Sequence, residues 1–250
     1  MKREQAELRQ QFLRRFEKIY VINLPHRTDR KRQIEKQLGC IGLSFSDSEV
    51  VLFEASRPES KGKWPSIGAR GCFSSHLNVL KHAATHNCET ILILEDDADW
   101  SVSFLANTKD VLKQVENLQW DFLHGGIEPG PEPPCFHSLS SEQKAPLTHF
   151  IALKRNAVPR IASYLETMAE RESGDPHGGP MHVDGAYSWF RKDNPDISAH
   201  IAEPAIAQQR PSRTDIHDLA WSDKVPVLSS VKNSLRSIMH TLRKKFSTKR

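Results

Sequence analysis

The stretch Thr90-Ile-Leu-Ile-Leu-Glu-Asp-Asp-Ala-Asp99 decides the fold, because it joins a short apolar run to a dense acidic cluster. The apolar run, Ile91 to Leu94, is typical of a strand buried on both faces of a parallel sheet. Four carboxylates follow within five positions, at what we expect to be the carboxyl edge of that sheet. Ligands of open α/β sheets bind at that edge, so the acidic cluster is a candidate site.

Strand-like and helix-like segments alternate on both sides of this stretch. Strands are predicted at residues 18–24, 49–55, 90–94, 120–124 and 148–153, and helices at residues 27–38, 69–86, 103–118 and 156–170. This alternation predicts an α/β fold with a mostly parallel, Rossmann-type sheet and helices on both faces.

The same patterns divide the 250 residues into a single sizeable domain with appendages. Residues 1–17 are predicted to be an N-terminal extension, either a short surface helix or frayed chain. Residues 18–223 are predicted to be the folded domain and residues 224–250 a basic tail. Residues 125–146 are rich in Gly and Pro, so we expect a long loop there, either a lid or acceptor-binding segment or a mobile insertion.

Composition limits the cellular setting. The longest apolar run is far shorter than the roughly 20 residues that cross a bilayer, so no membrane span is expected. The four cysteines form no C-x-x-C pair, and no signal-like apolar stretch precedes them. We therefore expect reduced, mostly buried thiols and a cytoplasmic protein.

The formal net charge of +4 is unevenly distributed, because the chain from Lys224 onward carries eight Lys or Arg and no acidic residue. Apolar residues recur in that tail at three- and four-residue steps, which predicts an amphipathic basic helix. Residues 228–250 either lie on an anionic membrane surface, placing the protein at the periphery of the inner membrane, or pack on the body. Nucleic-acid binding is not expected, because no aromatic-rich basic face accompanies the charge.

Four neighbouring carboxylates repel one another, so the acidic cluster needs a cation or a pocket rich in hydrogen-bond donors. Mn²⁺ or Mg²⁺ suits carboxylate oxygens, and such an ion can neutralise the diphosphate that leaves a nucleotide sugar. The alternative is a solvated acidic loop that caps a helix near Ser101 and Ser103.

Two upstream segments favour the metal interpretation. In chain order, the three segments are Tyr20-Val-Ile-Asn-Leu-Pro-His-Arg-Thr-Asp-Arg30, Gly71-Cys-Phe-Ser-Ser-His76 and Ile93-Leu-Glu-Asp-Asp-Ala98. Together they resemble glycosyltransferase family 25, the lipooligosaccharide-biosynthesis glycosyltransferases, over about residues 17–216. The resemblance implies a GT-A-like fold, a UDP-hexose donor such as UDP-galactose, a divalent metal and inversion at the anomeric carbon.

The resemblance also implies roles for individual residues. Nucleotide-sugar contacts fall on Asn23, Leu24, Arg27, Arg30, Ser75, His76 and Glu95, and metal ligation falls on Glu95 and Asp97 as the first and last places of a DxD-like signature. A second register of that signature spans Asp97 to Asp99. The alternatives are that Arg27 and Arg30 lie on a solvated helix face, and that His76 is a half-buried histidine with satisfied hydrogen bonds.

Inverting transfer needs a general base near the acceptor hydroxyl. Asp184 in His182-Val-Asp-Gly185 matches a late Val-Asp segment of the family and is the predicted base. His182 is its rival, and a helix cap is the alternative role for Asp184. Gln208 and Asp215 fall in the closing motif of the family and are expected to approach the site, in roles left open.

These features predict an inverting glycosyltransferase that moves a hexose, with galactose foremost, from a UDP-sugar to a glycan or glycolipid acceptor such as lipooligosaccharide. Two alternatives belong to other classes. One is a catalytically silent GT-A-like binding module, because a fold can persist without its chemistry. The other is a metal-dependent phosphohydrolase, which would release phosphate from simple esters.

Overall fold

A computed structural model describes residues 2–210, with side chains described from residue 5 onward. The strands are β1 (Lys18–Asn23), β2 (Val50–Glu54), β3 (Thr90–Glu95), β4 (Ala98–Trp100), β5 (Phe122–His124), β6 (Cys135–Ser138), β7 (Phe150–Lys154), β8 (Ala199–Glu203) and β9 (Ala207–Gln209). The helices are α1 (Lys2–Arg15), α2 (Thr28–Cys40), α3 (Ile67–Thr85), α4 (Val102–Ala106), α5 (Thr108–Asn117), α6 (Ala157–Glu170) and α7 (Val183–Asp193). The predicted basic tail and Asp215 lie outside the described residues.

Seven strands form one mixed sheet in the order β2-β1-β3-β7-β5-β8-β6, and β4 pairs with β9 in a small second sheet. Strands β1, β2, β3, β5 and β8 run in one direction, whereas β7 and β6 run in the other. The predicted α/β class with a mostly parallel sheet is confirmed. This sheet is of the kind expected from the GT-A-like fold that the resemblance implies. The sheet is mixed because β7, inserted between β3 and β5, and the edge strand β6 are antiparallel to their neighbours.

Alternating side chains of the central strands supply two apolar cores, one on each face of the sheet. Tyr20 and Ile93 pack with α3, α6 and α7, whereas Val21 and Leu92 pack with α1, α2 and α5. Successive residues of a strand point to opposite faces, so an uninterrupted apolar run fills both cores. Helices on both faces of the sheet are therefore confirmed.

The N-terminal segment contributes to the second core. Phe12 and Phe16 are each only 1% exposed, and Phe12 contacts Trp100 and Phe104. Residues four apart share one face of a helix, which lets α1 and the residue just after it bury both rings together. The C-terminal end of α1 and Phe16 thus pack into the second core.

Two predicted segments have more structure than the sequence indicated. The single helix predicted at residues 103–118 is divided into α4 and α5 at Asn107, whose side chain donates to the carbonyl of Ser103. Such local bonds from Asn compete with helix continuation. The loop predicted at residues 125–146 contains β6, which pairs antiparallel with β8 at the sheet edge.

The cysteines are free, as expected, but the prediction that most are buried is wrong. Cys40 and Cys135 are exposed, Cys72 is half-buried and Cys88 is buried. Over residues 2–210, no helix has both the length and the apolar character that crossing a membrane requires.

Candidate functional site

A cavity of about 240 Å³ opens at the carboxyl ends of β1, β2 and β3. The register of the three strands brings their ends level, because Asn23 lies opposite Glu54 and Ile22 lies opposite Glu95. The lining residues that belong to the three sequence motifs are Ile22, Leu24, His26, Arg30, Gly71, Cys72, Ser75, His76, Glu95 and Asp96. Segments separated by up to about 70 residues thus meet at one edge of the sheet, as ligand sites of α/β sheets do.

The start of α3 forms one wall of this cavity. Ser66 caps the helix by accepting a hydrogen bond from the backbone of Ala69 at 3.0 Å. A Cβ at Gly71 would lie 2.9 Å from the carbonyl oxygen of Ser56, so glycine allows the loop after β2 to approach the helix. The buried Ser75 hydroxyl donates to the Gly71 carbonyl at 2.6 Å and accepts from the Ser56 amide at 2.8 Å. Ser75 therefore ties this loop to α3.

Glu95 ends β3 and lines the cavity. Its Oε1 accepts a hydrogen bond from the Thr148 hydroxyl at 2.5 Å and lies 3.4 Å from His76 Nε2. Burial works to raise the pKa of Glu95, but the adjacent His76 ring, with the help of the hydrogen bond from Thr148, outweighs burial and lowers it. Glu95 is therefore held in the charged form.

Asp96 is only 6% exposed, with its carboxylate held from two sides. Asn23 Nδ2 donates to Asp96 Oδ2 at 2.7 Å, and Arg30 donates to Asp96 Oδ1 at 2.8 Å. Burial raises the pKa of Asp96 in spite of the Arg30 charge. Two of the predicted nucleotide-sugar contacts, Asn23 and Arg30, are thus the partners of the carboxylate that lies between the two predicted metal ligands.

Asp97 lies behind the cavity wall and is 4% exposed. Its Oδ2 is 3.4 Å from Arg30 and accepts from Gln209 at 3.3 Å, whereas Oδ1 has no hydrogen-bond partner among the described residues. Burial, followed by the negative charge of Glu95, raises the pKa of Asp97 to about 7. An unpartnered buried carboxylate oxygen is a ligand atom that a hard divalent cation takes, so Asp97 fits the metal that the resemblance implies.

Arginines offset much of the charge of the acidic cluster, so the pocket rich in hydrogen-bond donors is present. Arg30 serves Asp96 and Asp97, and Arg210 Nε donates to Asp99 at 3.0 Å. The cluster is buried rather than solvated, and α4 is capped by the Ser101 side chain. The interpretation of the cluster as a solvated, helix-capping loop is therefore wrong.

The His76 side chain is fully buried between Tyr187 of α7 and Glu95 of β3. Its Nδ1 lies 3.0 Å from the Tyr187 hydroxyl, while Nε2 points toward Glu95 without a hydrogen bond among the described residues. Tyr187 belongs to α7, about 110 residues away in the chain. No sequence motif marks this tyrosine apart from its place one turn after Asp184.

The two arginines of the first motif, Arg27 and Arg30, differ in position and in the carboxylates that they contact. Arg30 lines the cavity, whereas Arg27 lies outside it and binds the Asp29 carboxylate through Nε at 3.0 Å and a terminal nitrogen at 2.9 Å. The Arg27 guanidinium also lowers the pKa of Asp29. The alternative of a solvated helix face therefore fails for Arg30, and Arg27 lies at the N-cap position of α2 with its side chain only 15% exposed.

Asp184 lies in the first turn of α7, and His182 rather than Asp184 occupies the N-cap position. The carboxylate accepts from the backbone amides of Gly185 at 2.7 Å and Leu147 at 3.4 Å. Leu147 is adjacent to Thr148, whose hydroxyl binds Glu95, so Asp184 lies near the cavity wall. Burial, then the charges of Glu95 and Asp184, raises the pKa of the Cys72 thiol. Asp184 itself is not a lining residue.

In the closing motif, Gln208 is exposed and its neighbour Gln209 contacts Asp97. Gln208 lies opposite Asp99 in the pairing of β4 with β9, so it approaches the acidic cluster as expected, while the side-chain contact with a carboxylate is made by Gln209. Thr148, Tyr187 and Arg210 also contact the site, and no local motif marks them.

Residues 16–128 match the family model described as glycosyltransferase family 25 (LPS biosynthesis protein). This segment is similar to glycosyltransferase family 25. This family 25 segment contains all three motifs that line the cavity, whereas Asp184 and the closing motif lie beyond it.

Several named proteins are similar to this chain over part of its length. Procollagen galactosyltransferase 1-B of Xenopus laevis is 25% identical over 129 residues, which cover 44% of this chain and 21% of that protein. A glycosyltransferase 25 family member of Anopheles gambiae is 29% identical over 43% of this chain and 21% of its own length. A probable inactive family member 3 of Bos taurus is 23% identical over 44% of this chain and 22% of its own length. The chain thus spans about a fifth of the length of these relatives.

Among solved structures, a glycosyltransferase involved in the glycosylation of the major capsid of PBCV-1 is similar to this chain. The TM-score is 0.38 at 12% identity, and the match covers 79% of this chain and 93% of that chain.

Proposed function

We propose that the chain transfers a hexose from a UDP-sugar to a hydroxyl of a glycan or glycolipid, with inversion at the anomeric carbon. The observation that carries the proposal is the meeting of three motifs, distant in sequence, on the wall of one cavity. The family 25 segment supports glycosyl transfer as the reaction class. The name of the Xenopus relative supports galactose as the first sugar to test, and the family description supports lipooligosaccharide as the first acceptor.

The donor would lie in the cavity between the carboxyl ends of the strands and α3. Arg30 and the exposed Arg57 line it, and a guanidinium binds phosphate oxygens in a fixed planar geometry. Leu24 and Ile22 supply an apolar wall for the base or sugar. Asn23 and Ser75 act by holding Asp96 and the loop after β2, and Arg27 by bracing the start of α2 through Asp29.

Glu95 and Asp97 would hold a Mn²⁺ or Mg²⁺ ion, which supplies positive charge for the leaving diphosphate. His76 would keep Glu95 charged and fixed in place. Asp184, a carboxylate near the cavity wall, would remove the proton of the acceptor hydroxyl as general base.

A metal-dependent binding assay tests the donor site. We expect UDP or UDP-galactose to raise the melting temperature of the full chain with Mn²⁺ present, and Asp97→Ala to abolish the shift. Glu35→Gln, which alters an exposed carboxylate of α2, is the matched control and keeps the shift. If no nucleotide shifts the melting temperature with metal present, the donor-site assignment fails.

A panel of nucleotide sugars, scored for metal-dependent UDP release, then separates the three classes of function. A transferase releases UDP from one sugar donor faster with acceptor present, a silent module binds UDP without turnover, and a phosphohydrolase releases phosphate from simple esters. Asp184→Asn is expected to lower transfer about 100-fold or more without weakening donor binding, which is the scale of general-base catalysis.

A further inference from the structure

Three side chains of different ligand type converge at the base of the cavity. Cys72 and His76 are one turn apart on α3 and therefore share a face of the helix. Glu95 reaches the same point from the end of β3. The ligand atoms of the three residues all lie within 4.8 Å of one another.

The separations match those around a small tetrahedral ion. Zn²⁺ bound at its usual distances to sulfur, nitrogen and oxygen sets N···O at about 3.4 Å and S···O at about 3.6 Å. His76 Nε2 lies 3.4 Å from Glu95 Oε1, and Cys72 Sγ lies 4.0 Å from the same oxygen. A small rotation of the half-buried Cys72 side chain closes the remaining difference.

His76 is prepared for metal binding by its environment. Its Nε2 is buried, faces Glu95 and has no hydrogen-bond partner among the described residues, although buried polar atoms are rarely left unpaired. Its Nδ1 lies 3.0 Å from the Tyr187 hydroxyl. With a metal bound, the ring would carry its proton on Nδ1 and donate it to Tyr187, so that Nε2 presents its lone pair to the ion, which is the arrangement of most metal-binding histidines.

We propose that Cys72, His76 and Glu95 bind a Zn²⁺-class ion with an open fourth position that faces the cavity. Thiolate and imidazole ligands select Zn²⁺ or Co²⁺ over Mg²⁺ and Mn²⁺, so this site differs in metal preference from the ion proposed at Glu95 and Asp97, with which it shares Glu95. On binding, the S–H bond of Cys72 breaks, its proton passes to solvent and the sulfur bonds the metal. All three residues line the cavity, so the fourth ligand is a water or a bound molecule.

Cobalt spectroscopy tests the site without reference to glycosyl transfer. The full chain, reduced and freed of metal by a chelator, is titrated with Co²⁺. One equivalent is expected to give a near-ultraviolet thiolate-to-cobalt band together with intense visible bands of a tetrahedral ion, and Zn²⁺ is expected to displace it. Cys72→Ser removes the thiolate band and weakens Zn²⁺ binding about 100-fold or more, beyond the effect of losing a supporting residue.

Matched variants locate the site. Cys135→Ser, which changes an exposed thiol of β6, and Asp97→Asn are expected to retain the band. A chain that gives no thiolate band, or a band that survives Cys72→Ser, overturns the proposal and leaves Cys72 as a thiol hydrogen-bonded to Glu95.

A second measurement needs no variant and therefore does not depend on how Cys72→Ser folds. Each cysteine of the native chain is alkylated with and without Zn²⁺, and the modified peptides are quantified by mass spectrometry. Zn²⁺ is expected to slow alkylation of Cys72 at least tenfold, while the exposed Cys40 and Cys135 react at unchanged rates. Equal rates at Cys72 with and without Zn²⁺ also overturn the site.

Discussion

Arg30 is the single residue on which the acidic cluster most depends. Its guanidinium pairs with Asp96 and Asp97, and its side chain is only 11% exposed. Arg30→Ala leaves both buried carboxylates short of a counter-charge, so we expect it to lower the free energy of unfolding by about 3 kcal/mol. Urea denaturation of the full chain measures the change.

Arg27→Ala is the matched control, because Arg27 pairs with Asp29, whose side chain is 54% exposed. An exposed ion pair contributes little, so we expect a change below about 1 kcal/mol. Equal effects of the two substitutions would show that the cluster does not depend on Arg30.

A second residue with a testable effect on stability is His124, which makes the free energy of unfolding depend on pH. It is 2% exposed, its Nε2 donates to the Leu147 carbonyl at 2.8 Å, and its Nδ1 accepts from the Gly126 amide at 3.1 Å. This pairing needs the neutral ring, and burial lowers the pKa of His124 from 6.5 to about 4. Between those values the unfolded chain binds more protons, so the free energy of unfolding falls as the pH drops from 6.5 to 4.

The expected loss over that range is about 3 kcal/mol from this group. The buried His149 and the half-buried His200 also have lowered pKa values, so the decline is compared with that of His124→Gln. The variant is expected to show a shallower decline over this range. The same slope in both chains would rule out His124 as a contributor.

At the scale of elements, the connection that leaves β5 is anchored by a close backbone contact. Gly126 has a φ of +98°, and a Cβ there would lie 2.4 Å from Ala205 Cα and 2.5 Å from the Ala202 carbonyl oxygen. Gly126→Ala is therefore expected to lower the free energy of unfolding by at least about 2 kcal/mol. Thermal or urea denaturation measures it.

Gly39→Ala in α2 is the opposite case, because no atom lies within 4 Å of the added Cβ. Alanine is the better helix former, so this variant is expected to gain up to about 0.5–1 kcal/mol. Tolerance of alanine at Gly126 would mean that the start of the connection is not held against Ala205.

The elements also show how far a sequence pattern reaches. The apolar runs of β1 and β3 predicted buried strands. Alternate residues of each strand enter opposite cores, so every consecutive residue in the run must be apolar. The direction of β7 was not predictable in this way. The apolar run of Phe150–Lys154 predicts a buried strand but does not indicate whether it runs parallel or antiparallel to its neighbours. The exposed β6 had no apolar pattern at all, because it is a short edge strand whose pairing with β8 is set by the backbone.

At the scale of the whole molecule, sequence motifs predicted where the site lies better than they predicted how its charges are balanced. Glu95, Arg30 and His76 lie on one cavity, as their motifs indicated. The partners that hold the carboxylates, including Thr148 and Arg210, come from segments 53 and 111 residues away from Glu95 and Asp99 respectively. Such long-range pairs depend on tertiary packing, and no local spacing specifies them.

The basic tail gives the last prediction, which concerns the full chain. Residues 228–250 carry seven Lys or Arg and no acidic residue, so they are expected to bind anionic lipid surfaces by charge and by the apolar residues spaced among the basic ones. Deleting them should reduce sedimentation with anionic vesicles several-fold and leave UDP binding unchanged, because the cavity is built from residues 22–96. Neutral vesicles and high salt serve as controls, since screening weakens charge attraction. Equal sedimentation of both chains with anionic vesicles would assign the lipid contact to the folded domain.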